Sequence, residues 1–136
     1  MARPIRTFLD SGVLIAAFKG APHLRESALQ TLEDPDRLFL TSPFVRLEVL
    51  PKAIFNKQAG ETRFYERFFA RAVVATNLKA ILTLGEKGGA NSGVGSMDSL
   101  HIAAAHLLKA DAFITTERPN KSIYRSSLVK VVYLFS

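Results

Sequence analysis

The sequence predicts an α/β fold whose central, mainly parallel sheet of about five strands is covered by helices on both faces. Short apolar runs with strand character alternate along the chain with segments whose apolar residues recur at helical spacing. Parallel strands need helical crossovers, and the resulting sheets are buried on both faces. The 136 residues contain no internal repeat and no long linker, so we expect a single domain over residues 1–136.

Two strands and three helices are expected in the first part of the chain. Residues 5–10 form an apolar strand, and residues 13–18 form a short helix that closes at Lys19-Gly20. A proline opens a second helix over residues 22–32, and residues 38–41 form the second strand. Ser42 is a typical N-cap before a proline, and the helix that follows extends to residue 55. Pro51 should end or kink that helix.

The remainder of the chain is also predicted to alternate between helices and strands. A helix starts at residue 60, a short third strand covers residues 73–76, and a further helix covers residues 78–84. The glycine-rich segment 85–95 is interpreted as a mobile loop. Ser96 is expected to cap a helix through Lys109, and the last two strands are placed at residues 111–116 and 128–134.

Composition narrows the possible functions. The chain has no Cys, which excludes disulfides and Cys-ligated zinc. No apolar run reaches the roughly 18 residues of a membrane span, and the N-terminus does not resemble a signal peptide. We therefore expect a cytoplasmic protein with no membrane partner. The net charge of +6 favours a polyanionic partner such as RNA, although many small basic proteins bind no nucleic acid.

Four acidic residues lie at the ends of predicted strands or on the helices that follow or precede predicted strands. Asp10 ends the first strand and Glu117 ends the fourth, while Asp98 lies in the first turn of the helix that leads into the fourth strand. Glu48 lies on the helix after the second strand. In a parallel sheet all four carboxylates can converge at the carboxyl edge, where sites of such folds are found.

Converging carboxylates repel one another unless a cation lies among them. Mg²⁺ and Mn²⁺ prefer carboxylate and water oxygens, and a metal in a basic protein can activate water against a phosphodiester. Taken singly, each acid has a structural alternative. Asp98 could serve the helix dipole, Glu48 could lie on an exposed helix face, and Glu117 could pair with Arg118 or Lys121.

The segments FLDSGVLIAAF, FVRLEVLPKA, GSMDSLHIAAAHLLKADAFITTE and VKVVYLF occur in the order expected for a known family. In these segments the chain resembles the PIN-domain family, and more narrowly the VapC-type ribonucleases of toxin–antitoxin pairs. The resemblance implies a three-layer α/β/α sandwich and a nuclease that depends on Mg²⁺ or Mn²⁺. It also implies a cognate antitoxin and a homodimer.

The resemblance also assigns residues. Asp10, Glu48 and Asp98 match the first three acids of the family, and Glu117 stands where an Asp is usual. Gly12 stands where the family often has Ser, Thr or Asn. We predict that these four acids bind metal and act in catalysis, and that the substrate is contacted by Ser11, Thr115, Thr116, Arg118 and Lys121.

The resulting hypothesis is a metal-dependent endoribonuclease that acts on RNA. The alternative is a PIN-like RNA-binding or protein-interaction module whose catalysis is impaired, which Gly12 and Glu117 favour. A phosphotransfer domain is disfavoured because no second Asp follows Asp10 at a distance of two residues. His101 and His106 are interpreted as packing or surface residues.

Overall fold

The computed structural model describes residues 2–135 and contains one sheet of five parallel strands. The strands are β1 (Ile5–Leu9), β2 (Arg37–Thr41), β3 (Val73–Val74), β4 (Ala112–Thr115) and β5 (Val131–Tyr133). The helices are α1 (Ser11–Lys19), α2 (Pro22–Leu32), α3 (Pro43–Phe55), α4 (Ala59–Arg71), α5 (Leu78–Ser92) and α6 (Ser96–Leu107). A short 3₁₀ helix spans Ser122–Arg125. The predicted fold class, a PIN-like α/β/α sandwich, is confirmed, and every strand pair in the sheet is parallel.

The sheet order is β3-β2-β1-β4-β5, which places β1 at the centre. The chain builds one half of the sheet outward from β1 to β3, and then returns to add β4 and β5 on the other side of β1. The strand order therefore reverses between β1 and β4. In open parallel sheets this reversal leaves a crevice outside the carboxyl ends of the two strands, where ligands bind.

The core is formed where the central strands meet the helices. Phe8 on β1 and Phe113 on β4 are fully buried and stack with ring centroids 5.4 Å apart. The small residues Ala103, Ala104 and Ala105 of α6 are also buried. Small side chains let a helix approach its neighbours closely, so the second half of α6 packs tightly into the core.

The glycine-rich segment was wrongly predicted to be a loop, because α5 continues through it from Leu78 to Ser92. A Cβ atom at Gly85 would lie 3.2 Å from the Leu100 side chain, and one at Gly89 would lie 3.0 Å from Ser99 Oγ. The two glycines thus lie on the face of α5 that packs against α6. Close packing of the two helices outweighs the low helix propensity of glycine. The helix ends at Gly93, whose φ of 71° is left-handed.

One predicted helix boundary is confirmed and another needs correction. The helix α3 extends to Phe55 as predicted, and it continues past Pro51 without ending there. Pro51 is exposed, so water can reach the carbonyl that lost its intrahelical partner. Ser96 was expected to be an N-cap, but it is the first residue of α6, and Gly95 occupies the cap position. None of the helices between residues 2 and 135 is long and apolar enough to cross a membrane.

Candidate metal centre

Asp10 lies between the central strand and the first helix, where it is the N-cap of α1. It is only 7% exposed. Its Oδ1 accepts a 2.8 Å hydrogen bond from the backbone N–H of Ser11, and its Oδ2 accepts one of 2.8 Å from the Thr115 hydroxyl. These two donors fix the orientation of the carboxylate, but among residues 2–135 no Lys or Arg forms an ion pair with it. A buried carboxylate without a cationic partner is costly, and this favours a bound cation.

Glu48 lies on α3 and reaches the same edge of the sheet. Its Oε1 accepts a hydrogen bond from His101 Nε2 on α6, with the two atoms 2.5 Å apart. This hydrogen bond is the main cause that lowers the pKa of Glu48, and the Ser11 hydroxyl lowers it further. Glu48 is therefore held ionised, which is the form that a metal requires.

Three side chains of this edge form a set of possible metal ligands. Asp10, Glu48 and His101 each offer one ligand atom, and these atoms all lie within 4.8 Å of one another. The carboxylate oxygens of Asp10 and Glu48 suit a divalent ion, while His101, whose Nε2 donates to Glu48, orients that carboxylate. The residues therefore fit the metal that the sequence predicts.

Asp98 lies in the first turn of α6 and is half-buried. Burial is the main cause that raises the pKa of its carboxyl, and the negative charges of Asp10, Glu117 and Glu48 raise that pKa further. The nearby His101 lowers the pKa of Asp98. All four acids predicted from the sequence are thus close enough to interact, although Asp98 and Glu117 lie outside the three-ligand set.

In metal-free protein, Asp98→Asn is expected to raise the thermal stability at neutral pH by a few degrees. Because folding raises the pKa of Asp98, the folded state binds this proton more tightly than the unfolded state. The stability that Asp98 contributes is therefore present at low pH and is lost as the pH rises through its folded pKa. Asn cannot ionise, so the difference in Tm between variant and wild type should grow with pH.

Thermal unfolding of both proteins between about pH 4 and neutrality measures this difference. Asp36→Asn is the matched control, because Asp36 is exposed before β2 at the opposite edge of the sheet. A gain in Tm that is independent of pH, or one that the Asp36 variant shares, would contradict the electrostatic explanation.

Glu117 and Thr115 lie at the end of β4 and have different surroundings. The Thr115 hydroxyl is buried; it donates to Asp10 and accepts from the backbone N–H of Glu117 at 3.1 Å. It thereby orients the Asp10 carboxylate. The Glu117 side chain is exposed, so its carboxylate is free to turn towards the centre or towards solvent.

Gly12 and Thr116 are in direct contact beside the centre. A Cβ atom at position 12 would overlap the Thr116 hydroxyl oxygen. The absence of a side chain at Gly12 therefore makes room for a hydroxyl that comes from the residue after β4 instead of from α1. The hydroxyl missing at position 12 is replaced locally by that of Thr116.

The remaining predicted substrate residues surround this edge. Ser11 is half-buried in the first turn of α1, next to Asp10. Arg118 and Lys121 are exposed in the segment after β4, and the backbone N–H of Lys121 bonds to the Arg118 carbonyl at 3.0 Å. Ser11 and Arg118 thus lie just after the carboxyl ends of β1 and β4, and no ion pair within residues 2–135 joins Lys121 to the four acids.

His101 belongs to the candidate centre, although the sequence alone favoured a packing or surface residue. It is 1% exposed, and its Nδ1 is buried without a hydrogen-bond partner within residues 2–135. The sequence did contain a signal, since His101 follows Asp98 by three residues and shares its helix face. Its contact with Glu48 depends on how α3 and α6 pack, which local spacing does not reveal.

Comparison with known proteins identifies the family to which this fold belongs. The PIN domain family model matches residues 7–122. Among solved structures, VapBC2 from Rickettsia felis bound to a promoter DNA fragment has a TM-score of 0.71 at 14% identity, with 94% of this chain and 98% of that chain covered. VapBC-1 from nontypeable Haemophilus influenzae gives 0.70 at 18% identity, with 96% and 99% covered.

A toxin–antitoxin complex from Klebsiella pneumoniae is similar as well, with a TM-score of 0.69 at 19% identity and 90% and 94% of the two chains covered. At these identities the structural matches establish the fold alone. A search of curated proteins found no significant match. The family model, however, covers most of the sequence, including all four predicted acids: Asp10 between β1 and α1, Glu48 on α3, Asp98 on α6 and Glu117 after β4. The chain therefore belongs to the PIN domain family.

Proposed function

We propose that the protein is an endoribonuclease that hydrolyses RNA phosphodiester bonds with Mg²⁺ or Mn²⁺. The observation that carries this proposal is the set of ligand atoms from Asp10, Glu48 and His101, all within 4.8 Å of one another. The site lies at the carboxyl edge of a sheet in a chain whose net charge is +6. In this proposal Asp98 completes the acidic set, Glu117 is the fourth carboxylate, and residues 1–136 act as one domain.

A bound divalent ion would supply activated water and would polarise the phosphoryl oxygen. The protein's own residues hold and orient the carboxylates that would bind this ion. Thr115 and the Ser11 backbone fix the Asp10 carboxylate, while His101 fixes that of Glu48. Asp98 has a raised pKa among the other carboxylates, and a cation would relieve that repulsion.

Substrate contacts in this proposal come from the loops at the same edge. Thr116 and Ser11 offer hydroxyls beside Asp10, and the exposed cations Arg118 and Lys121 follow β4. Arg and Lys side chains neutralise backbone phosphates and make binding salt-dependent. An RNA strand would therefore cross the edge of the sheet with a phosphate at the metal centre.

We also propose that the protein is the toxin of a toxin–antitoxin pair, that it acts in the cytoplasm and that it forms a homodimer. The similar structures from Rickettsia felis and Klebsiella pneumoniae support an antitoxin partner. An apolar stripe on α3 supports protein contacts, because Leu47, Ile54 and Phe55 are 64%, 54% and 84% exposed on one helix face. Light scattering on the purified chain should give twice its 15.0 kDa mass.

The test is cleavage of single-stranded RNA by the purified protein in Mg²⁺ or Mn²⁺ and in EDTA. We expect cleavage with either metal and none in EDTA, and calorimetry should detect metal binding without RNA. Cleavage that persists in EDTA would overturn the proposal. Salt-sensitive RNA binding with neither metal binding nor cleavage would instead support the impaired module that Gly12 and Glu117 suggested.

A further inference from the structure

A second cavity of about 450 Å³ opens beside the metal centre, on the side of Gly12. Its wall includes Thr116, Arg118 and three aromatic residues. The aromatic residues are His23 from α2, Tyr133 from β5 and Phe135 just after that strand. Sequence reasoning assigned no function to any of these three.

The three rings form an aromatic platform, by which we mean His23, Tyr133 and Phe135. The His23 and Phe135 rings stack with centroids 6.0 Å apart at an interplanar angle of 27°. The Tyr133 ring meets Phe135 edge-on, with centroids 5.4 Å apart. Phe135 is 41% exposed and His23 is exposed, so ring surface remains accessible to a ligand.

The cavity lies beside the metal centre because two of its wall residues neighbour residues of the centre. Gly12 follows Asp10 by two residues, and Thr116 follows Thr115, whose hydroxyl holds the Asp10 carboxylate. The Thr116 hydroxyl lies against Gly12, at the boundary between the centre and the cavity. A phosphate at the centre and a group on the aromatic platform could therefore belong to one ligand.

The positive charge of Arg118 indicates which class of ligand would bind in this cavity. Arg118 forms no ion pair with any acid within residues 2–135, so its guanidinium is available to an anion. Exposed aromatic rings beside an unpaired arginine are the combination with which proteins bind single-stranded nucleic acid. The rings stack on bases, and the cation contacts the backbone.

We propose that the aromatic platform stacks on an unpaired base of single-stranded RNA close to the phosphate at the metal centre. This inference rests on the proposed function and adds to it a base-binding subsite formed by His23, Tyr133 and Phe135. A base in a duplex is already stacked and paired, so it cannot enter the cavity without the cost of extrusion. Arg118 contacts a phosphate of the same strand.

The test measures the binding of a short single-stranded oligoribonucleotide and of the same strand without its bases, by fluorescence anisotropy in EDTA. EDTA separates binding from cleavage. We expect the wild type to prefer the complete strand, and Phe135→Leu to reduce that preference about 5- to 100-fold for the loss of one stacked base. The slope of affinity against salt should not change, because Phe135 neutralises no phosphate.

Two further variants separate stacking from folding, and a third tests the phosphate contact of Arg118. Phe135→Tyr keeps an aromatic ring and should retain the preference for bases. Phe55→Leu makes the same substitution at an exposed phenylalanine on α3 that does not line the cavity, so it should bind like the wild type. Arg118→Gln should weaken both strands alike and reduce the salt slope by about one phosphate contact.

The results distinguish this inference from the proposed function. If the wild type cleaves RNA in Mg²⁺ or Mn²⁺ but Phe135→Leu keeps the full preference for bases, the inference alone is wrong. If Phe135→Leu leaves RNA binding intact and dissociates a homodimer, the platform is a protein contact and the inference is equally overturned. If the wild type neither binds nor cleaves RNA, the proposed function fails.

Discussion

Asp10→Asn is expected to abolish metal binding and to reduce RNA cleavage by more than about 100-fold. Asp10 is almost fully buried, and both of its oxygens are oriented by fixed donors. Asn has nearly the same shape but lacks the charge that a divalent cation requires. The substitution therefore removes the central ligand with little change in packing. Calorimetric titration with Mn²⁺ and an RNA cleavage assay measure the two losses.

Asp36→Asn is the matched control, because it makes the same chemical change in an exposed turn at the amino edge of the sheet. It should bind metal and cleave RNA like the wild type. Far-UV circular dichroism should show that both variants are folded. An Asp10 variant that is folded and retains cleavage would exclude the proposed centre.

His101→Leu is expected to lower the affinity for Mg²⁺ or Mn²⁺ by about 10- to 100-fold without lowering the thermal stability of the metal-free protein. The substitution removes the hydrogen bond that orients Glu48 and lowers its pKa. It also removes the buried Nδ1 atom, which has no partner within residues 2–135 and is costly in an apolar setting. A variant that loses metal affinity but keeps its thermal stability shows that the residue acts in metal binding and not in packing.

His101→Gln is the informative companion, since its amide can still donate a hydrogen bond towards Glu48. It should recover part of the metal affinity that Leu loses. Calorimetry with both variants and thermal unfolding in EDTA measure the two effects. If His101→Leu binds metal like the wild type and only Tm changes, His101 is a packing residue, as the sequence alone suggested.

The acids of the site could be predicted because topology places them. Asp10 and Glu117 follow parallel strands, and Asp98 begins a helix that leads into one, so the alternation of elements is enough to bring all three to one edge. Glu48 required only the additional step that α3 starts at this edge. No knowledge of side-chain packing entered these predictions.

His101 and α5 were missed because both depend on how helices pack. His101 joins the site through its contact with Glu48, which is distant in sequence. The glycines of α5 predict a loop by local propensity, but two of them allow α5 to lie close against α6. In both cases the result depends on how α6 packs against a neighbouring helix, and the local sequence does not reveal this packing.

The contact between Gly12 and Thr116 has a consequence for evolution. Since a Cβ atom at position 12 would overlap the Thr116 hydroxyl, these two positions share one volume that only one side chain can fill. Relatives of this chain with a Ser, Thr or Asn at position 12 should therefore have a smaller residue at position 116. The two positions should covary across the family, with the polar group exchanged between α1 and the end of β4 while its location beside Asp10 is preserved.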